Sequence, residues 1–179
     1  MNKNLDFLYI GCTHPTPLGI IWVAVSEAGL VAVSLGDALE IFNAELVARH
    51  PRAQVIPDEG RTHTATRQIT AYLAGERTEF DLPIDWSVMT PFQENALKAT
   101  LGIPRGETRT YGEVAALAGS PRAARAVGRA EATNPIPLVI PCHRVLNAVE
   151  KLHGYSGRGG LETKAWLLNL EGWQTTANE

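Results

Sequence analysis

Hydrophobic positions change character along the chain. In the first half they form short runs rich in Val and Ile; in the second they recur at helical spacing. Residues 5–10, 20–25 and 30–35 read as strands. Pro15, Pro17 and Gly19 bound the second run, and Ser26-Glu27-Ala28-Gly29 joins it to the third as a hairpin. Residues 38–50 place Leu39, Phe42, Leu46 and Val47 at helical spacing, and Pro51 stops that helix. Residues 64–74 predict a second helix, with Ile69, Tyr72 and Leu73 on one side and Gly75 beyond its end. Residues 80–85 read as an extended exit segment.

The second half is a series of short, well-signalled helices. Thr90-Pro91-Phe92-Gln93 has the form of a capping box, and Gly102 ends its helix. Thr110-Tyr111-Gly112-Glu113 repeats the box, and Gly119 closes that helix. Ser120-Pro121 then predicts the start of a third helix, running to about Thr133. Two helices joined by so short a turn read as a helix-turn-helix. Arg122, Arg125 and Arg129 are spaced to form one basic ridge, among the small residues Ala123, Ala124, Ala126, Gly128 and Ala130. A smooth basic helix can approach a phosphate backbone closely. The competing reading is an alanine-rich core helix with solvated arginines. Leu161, Trp166, Leu167, Leu168 and Leu170 mark a last helix, with Gly172 past its end.

The 179 residues, 45% apolar and 20% charged, suit one large or two small globular domains and exclude wholesale disorder. No apolar run approaches the roughly 18–20 residues of a membrane span. Residues 1–6 lack the apolar core of a signal peptide. Two cysteines, Cys12 and Cys142, cannot build a disulfide framework or a four-cysteine zinc site, so a reducing, cytoplasmic setting is the expectation. Residues 1–85 hold 6 Lys/Arg against 11 Asp/Glu, whereas residues 105–158 hold 8 against 4. That asymmetry fits a polyanion met by one half, or equally a solvated surface with chance clustering. His14, His50 and His63 are scattered, and Cys12-x-His14 is a weak metal signal.

Candidate chemistry lies after the third helix. Pro135, Pro137 and Pro141 punctuate an apolar run that leads into Cys142-His143-Arg144. The prolines disfavour helix and predict an extended, largely buried segment that fixes Cys142. A thiol near its reference pKa of ~8.5 needs a base at neutral pH. His143 is adjacent, and contact requires a turn or a bridging water. A buried structural cysteine is the alternative. Glu171, at the last helix's C-terminus, has the wrong sign for the helix dipole; it is either paired, with His143 a candidate, or exposed. Asn134 is a helix C-cap or a tie to the Cys142 segment. The glycine-rich stretch 154–160 lacks the ending of a phosphate loop.

Ile140-Pro141-Cys142-His143-Arg144-Val145 resembles the active-site signature of the O6-alkylguanine-DNA alkyltransferases, the methylated-DNA–protein-cysteine methyltransferases. The resemblance continues through Tyr111-Gly112-Glu113-Val114-Ala115, Arg125-Ala126-Val127-Gly128, Asn134-Pro135, Tyr155-Ser156 and Lys164-Ala165-Trp166-Leu167-Leu168 to Glu171-Gly172, covering roughly residues 90–172. It implies an α/β (α+β) chain. An RNase-H-like small-sheet domain would span 1–85, and a helical, winged-helix-like helix-turn-helix domain 86–179.

It also implies a role for each matching residue. Cys142 would accept the alkyl group, and His143 would deprotonate it through a water with Glu171 orienting the imidazole. Asn134 would hold the strand carrying Cys142, and Tyr111 would protonate the departing guanine. Ser156 and the backbone at Val145 and Cys142 would hold the base, Pro137 and Tyr155 would wall the alkyl pocket, and Lys164 would support the Cys142 region. Arg125 would fill the stack of a minor-groove-bound duplex as the nucleotide flips out. The loop after Ser156 is longer than the family's usual one. The implied reaction is a stoichiometric transfer from O6-alkylguanine, and from O4-alkylthymine, in double-stranded DNA by a monomer needing no metal or cofactor. A non-reactive alkylguanine-binding protein of the same fold and a Cys–His hydrolase are the rival classes.

Overall fold

The structure, a computed structural model, describes residues 7–148 and 159–173. The chain divides into two compact units. One comprises residues through Glu94 with Pro135–Leu138; the other comprises Asn95–Asn134 with the chain from Val139 onward. The architecture is the expected α/β (α+β) one, a small sheet followed by short helices.

In the first unit β1 (Phe7–Cys12), β2 (Ile21–Ser26) and β3 (Gly29–Leu35) form an antiparallel meander. Then come α1 (Leu39–Arg49), β4 (Gln54–Pro57) and α2 (Glu59–Leu73). β4 pairs parallel to β1, giving the order β3-β2-β1-β4. Side-chain alternation sends Leu8 and Ile10 into a core with Ala24, Val31, Phe42 and Leu46. Burying each large apolar side chain contributes roughly 1.5–3 kcal/mol. Gly11 faces the other way, and a Cβ there would collide with Thr62 of α2. β3 ends the sheet, yet all its residues are buried. Its edge is covered: Leu30 N donates to Pro83 O at 2.8 Å, Asp85 N to Leu30 O at 3.0 Å and Val33 N to Pro135 O at 2.8 Å. A covered edge cannot pair with another chain.

The hairpin and α1 match the expected pattern. α2 begins at Glu59 rather than 64, because Asp58 is its N-cap and accepts from Arg61 N at 3.0 Å. β4 was not expected: four residues ending in proline show no useful alternation, and its partner β1 is remote in sequence.

α3 (Pro91–Leu101) leads into the second unit, with Thr90 Oγ1 accepting from Gln93 N at 3.3 Å. β5 (Arg109–Thr110) runs directly into α4 (Tyr111–Leu117), whose capping box is complete: the Thr110 side chain accepts from Glu113 N, and Glu113 from Thr110 N. Gly119, at φ +74°, ends α4 while Ser120 N donates back to Ala115 O at 2.8 Å. α5 (Ala124–Ala132) packs on α4 as the second helix of the pair. It starts later than the Ser120-Pro121 signal predicts. Ala123 N donates to Ser120 O at 2.8 Å, so Ser120-Pro121-Arg122-Ala123 is a turn with proline in its second place.

The proline-rich segment also departs from expectation. Residues 135–140 are bends and turns, not an extended strand, and Leu138 takes φ +72°. Proline excludes helix before it but permits turns as readily as extended chain. A 3-10 turn, Cys142–Arg144, follows, then β6 (Val145–Leu146), which pairs parallel to β5. α6 (Gly160–Leu170) closes the described chain and packs on the 3-10 turn.

Candidate active site

Cys142 sits at the start of the 3-10 turn and is 6% exposed. Its N–H donates to Ile140 O at 2.8 Å, and Arg144 N donates to Pro141 O at 2.9 Å. The turn rotates His143 and Arg144 away from the alternation an extended chain would impose. Asn134, just past α5, donates its Nδ2 to Ile140 O at 3.0 Å and so ties the helix end to the residues leading into Cys142. The expected tie is therefore made to a turn, not to a strand.

His143 and Glu171 come together from the 3-10 turn and the C-cap of α6. Glu171 is buried, so the exposed-glutamate reading is excluded. His143 Nε2 lies 2.6 Å from Glu171 Oε1, with both side chains fully buried. A carboxylate only accepts, so Nε2 carries the hydrogen and Nδ1 is the bare nitrogen. Nδ1 is itself buried and has no hydrogen-bond partner among the described residues. Burial holds the imidazole pKa below its ordinary value, although Glu171 pulls the other way. The resting ring is thus held toward its neutral form.

Arg144 resolves the sign conflict at the end of α6. Its Nε donates to Glu171 Oε2 at 2.8 Å and its Nη2 to Oε1 at 3.0 Å, a two-pronged pairing. Nη1 donates to Ile103 O, and Arg105 Nη2 donates to Leu170 O at 2.6 Å. Two guanidinium groups therefore neutralise a helix terminus that carries a carboxylate. In the sequence Arg144 stands in a motif without a task; its pairing with Glu171 exists only in the fold.

Lys164 is fully buried on α6 and donates Nζ to Val145 O at 2.6 Å. Burial lowers its pKa to about 8, against the pull of Cys142 and Glu131. Tyr111, the first residue of α4, is half-buried, and its ring lies 3.9 Å from where a Cβ would stand on Gly128 of α5. Burial raises the phenol's pKa, helped by Glu131 and Cys142, so Tyr111 keeps its proton. Burial pushes the Cys142 thiol up to about 12; Glu131 adds to this, while an Asn134 hydrogen bond and Lys164 oppose it. Glu131 was missed altogether: a glutamate on a basic helix reads as surface charge.

Arg125 and Arg129 are exposed on α5. Arg122 is exposed too, but it and Ala123 precede the helix, which shortens the predicted ridge. Ala124, Ala126 and Gly128 are half-buried. Pro137 belongs to the first unit. Tyr155 and Ser156 lie outside the described residues. Among the described residues no three His, Cys, Asp or Glu side chains converge on a metal site, and no helix is long and apolar enough to cross a membrane.

This geometry agrees with what the chain is similar to. Residues 9–86 match the family model for the ribonuclease-like domain of 6-O-methylguanine DNA methyltransferase, and residues 91–173 match the model for its DNA binding domain. A methylated-DNA–protein-cysteine methyltransferase of Mycolicibacterium paratuberculosis is 52% identical over 159 residues, 89% of this chain and 90% of that protein. The crystal structure of Mycobacterium tuberculosis O6-methylguanine methyltransferase superposes with a TM-score of 0.74 at 39% identity, covering 94% of this chain and 96% of the other. Mycobacterium tuberculosis OGT in complex with DNA gives 0.73 at 40% identity, covering 92% of each chain. With both halves matched in order, and relatives aligned along nearly their whole length, the chain belongs to the methylated-DNA–protein-cysteine methyltransferase family.

Proposed function

We propose that this protein repairs DNA by moving the alkyl group of O6-alkylguanine, and of O4-alkylthymine, onto Cys142 in a single irreversible step. The buried Cys142-His143-Glu171-Arg144 constellation carries the reading. The Cys142 thiol proton passes through a water to His143 Nδ1, while Glu171 steadies the imidazolium at Nε2. The sulfur attacks the alkyl carbon, the carbon–oxygen bond breaks, and the electron pair leaves with guanine. The Tyr111 phenol protonates the departing base. Asn134 holds the approach to Cys142, Lys164 fixes the Val145 carbonyl, and Ser156 and Tyr155 complete the base and alkyl contacts. The product is a thioether with no second nucleophile to cleave it, so each molecule acts once.

Duplex DNA is the partner, met through the minor groove by α5 as a monomer. The small residues Ala124, Ala126 and Gly128 allow close approach, and Arg129 and Arg122 meet phosphates. Arg125 occupies the stack while the target nucleotide is outside it. A free thiol is the reagent, which suits the reducing cytoplasm. Cys142→Ala should abolish transfer and leave DNA binding intact. Methyl still accumulating on the variant would exclude Cys142 as acceptor.

A further inference from the structure

Glu131 has no part in the reaction as described, yet it is the one acidic side chain on α5 and it points inward, 4% exposed. Its Oε1 lies 2.5 Å from Thr100 Oγ1, which is also 3.2 Å from Ala96 O. A threonine hydroxyl has a single hydrogen. With an ionised Glu131, both neighbours would be acceptors competing for it. With a protonated Glu131, the acid donates to Thr100 and Thr100 donates to Ala96. The other oxygen, Oε2, is buried without a hydrogen-bond partner among the described residues, an expensive place for half of a negative charge.

We propose that Glu131 is a positioning residue of the acceptor site, a buried neutral carboxylic acid that donates to Thr100 and whose ionisation restrains the reactivity of Cys142. This rests on the reading of Cys142 as alkyl acceptor. Four elements present titratable or hydrogen-bonding groups to Glu131: α3 gives Thr100, α4 gives Tyr111, the 3-10 turn gives Cys142 and α6 gives Lys164. The carboxyl pKa is raised to about 7, chiefly by burial, with Thr100 and Lys164 drawing it back. As pH rises through that value a negative charge forms whose field reaches the Cys142 sulfur and disfavours the thiolate. The Lys164 ammonium offsets part of it. Glu131 also lies one turn from Gly128, against which the Tyr111 ring packs, so its charge is felt by the proton donor as well.

The test compares single-turnover transfer from a methylated duplex to Cys142 in wild type and Glu131→Gln, across roughly pH 6 to 9. The two profiles should converge at the acid end and separate above neutrality, with the variant ahead by roughly threefold. One unit in thiol pKa changes the thiolate fraction about tenfold, and about half of that exponent is returned through altered nucleophilicity. Parallel profiles, or a variant slower at every pH, overturn the proposal. A second arm needs no DNA: the carboxyl carbon resonance of Glu131 in the whole protein should titrate near neutrality. A midpoint below about pH 5 overturns the proposal. Failure of the wild type to transfer refutes the reading of Cys142, leaving the carboxyl titration to decide the state of Glu131.

Discussion

Cys142 is a poor nucleophile as it rests: a thiol pushed up to about 12 carries almost no thiolate at neutral pH. In the proposed mechanism its reactivity comes from proton transfer during attack, with the bare Nδ1 of His143 receiving that proton. In the proposed reaction Glu171 makes the ring a base by fixing the hydrogen on Nε2, and Arg144 pairs with both Glu171 oxygens. Glu171→Gln should therefore cut the transfer rate roughly 100-fold. It should also cost about 3 kcal/mol of stability, because Arg144 is left with a buried, uncompensated charge. Single-turnover kinetics and urea melts read the two effects separately; an unchanged rate would remove Glu171 from the mechanism. The pairing of His143 with Glu171 was legible as a broken rule, a carboxylate at a helix C-terminus. Arg144 and Glu131 were not legible, because their tasks depend on Ile103, Glu171, Thr100 and Lys164, which only tertiary folding brings near.

At the scale of elements, the proposed chemistry and the proposed DNA contacts share one helix. α5 exposes Arg125 and Arg129 on one side, buries Val127, Ala130 and Glu131 on the other, and ends at the Asn134 tie to Ile140. Flipping a nucleotide costs a few kcal/mol of stacking that a free base never incurs. Arg125→Ala should thus slow repair of duplex substrate by at least roughly tenfold while barely changing reaction with free O6-alkylguanine. Equal losses on both would contradict its place in the stack. Most elements were readable from periodicity and caps: the hairpin, α1, α3, α4 and α6. The misread ones have local causes. Asp58 lies among polar residues and hides the true start of α2, and Pro121 opens a turn as well as it opens a helix. A leucine at φ +72° gives no sign of itself in the residues around it.

At the scale of the whole molecule, the second unit couples its reactive residue to its own stability. Cys142 is buried, its thiol influenced by Asn134, Lys164 and Glu131, and β5–β6 pairing holds the residues after it against the start of α4. Added volume in such a packed place costs ~1–3 kcal/mol. Methylated protein should melt several degrees below unreacted protein at matched salt and pH; an equal or higher melting temperature would mean a roomier site. The central claim is a single covalent event at one sulfur. It is tested most directly by titrating the protein with excess duplex carrying isotopically labelled O6-methylguanine and mapping the label by peptide mass spectrometry. The account predicts that uptake stops at one methyl per chain, all of it on Cys142 and none on the exposed Cys12. Uptake beyond one methyl, label elsewhere, or continued release of the methyl group to solvent would contradict it.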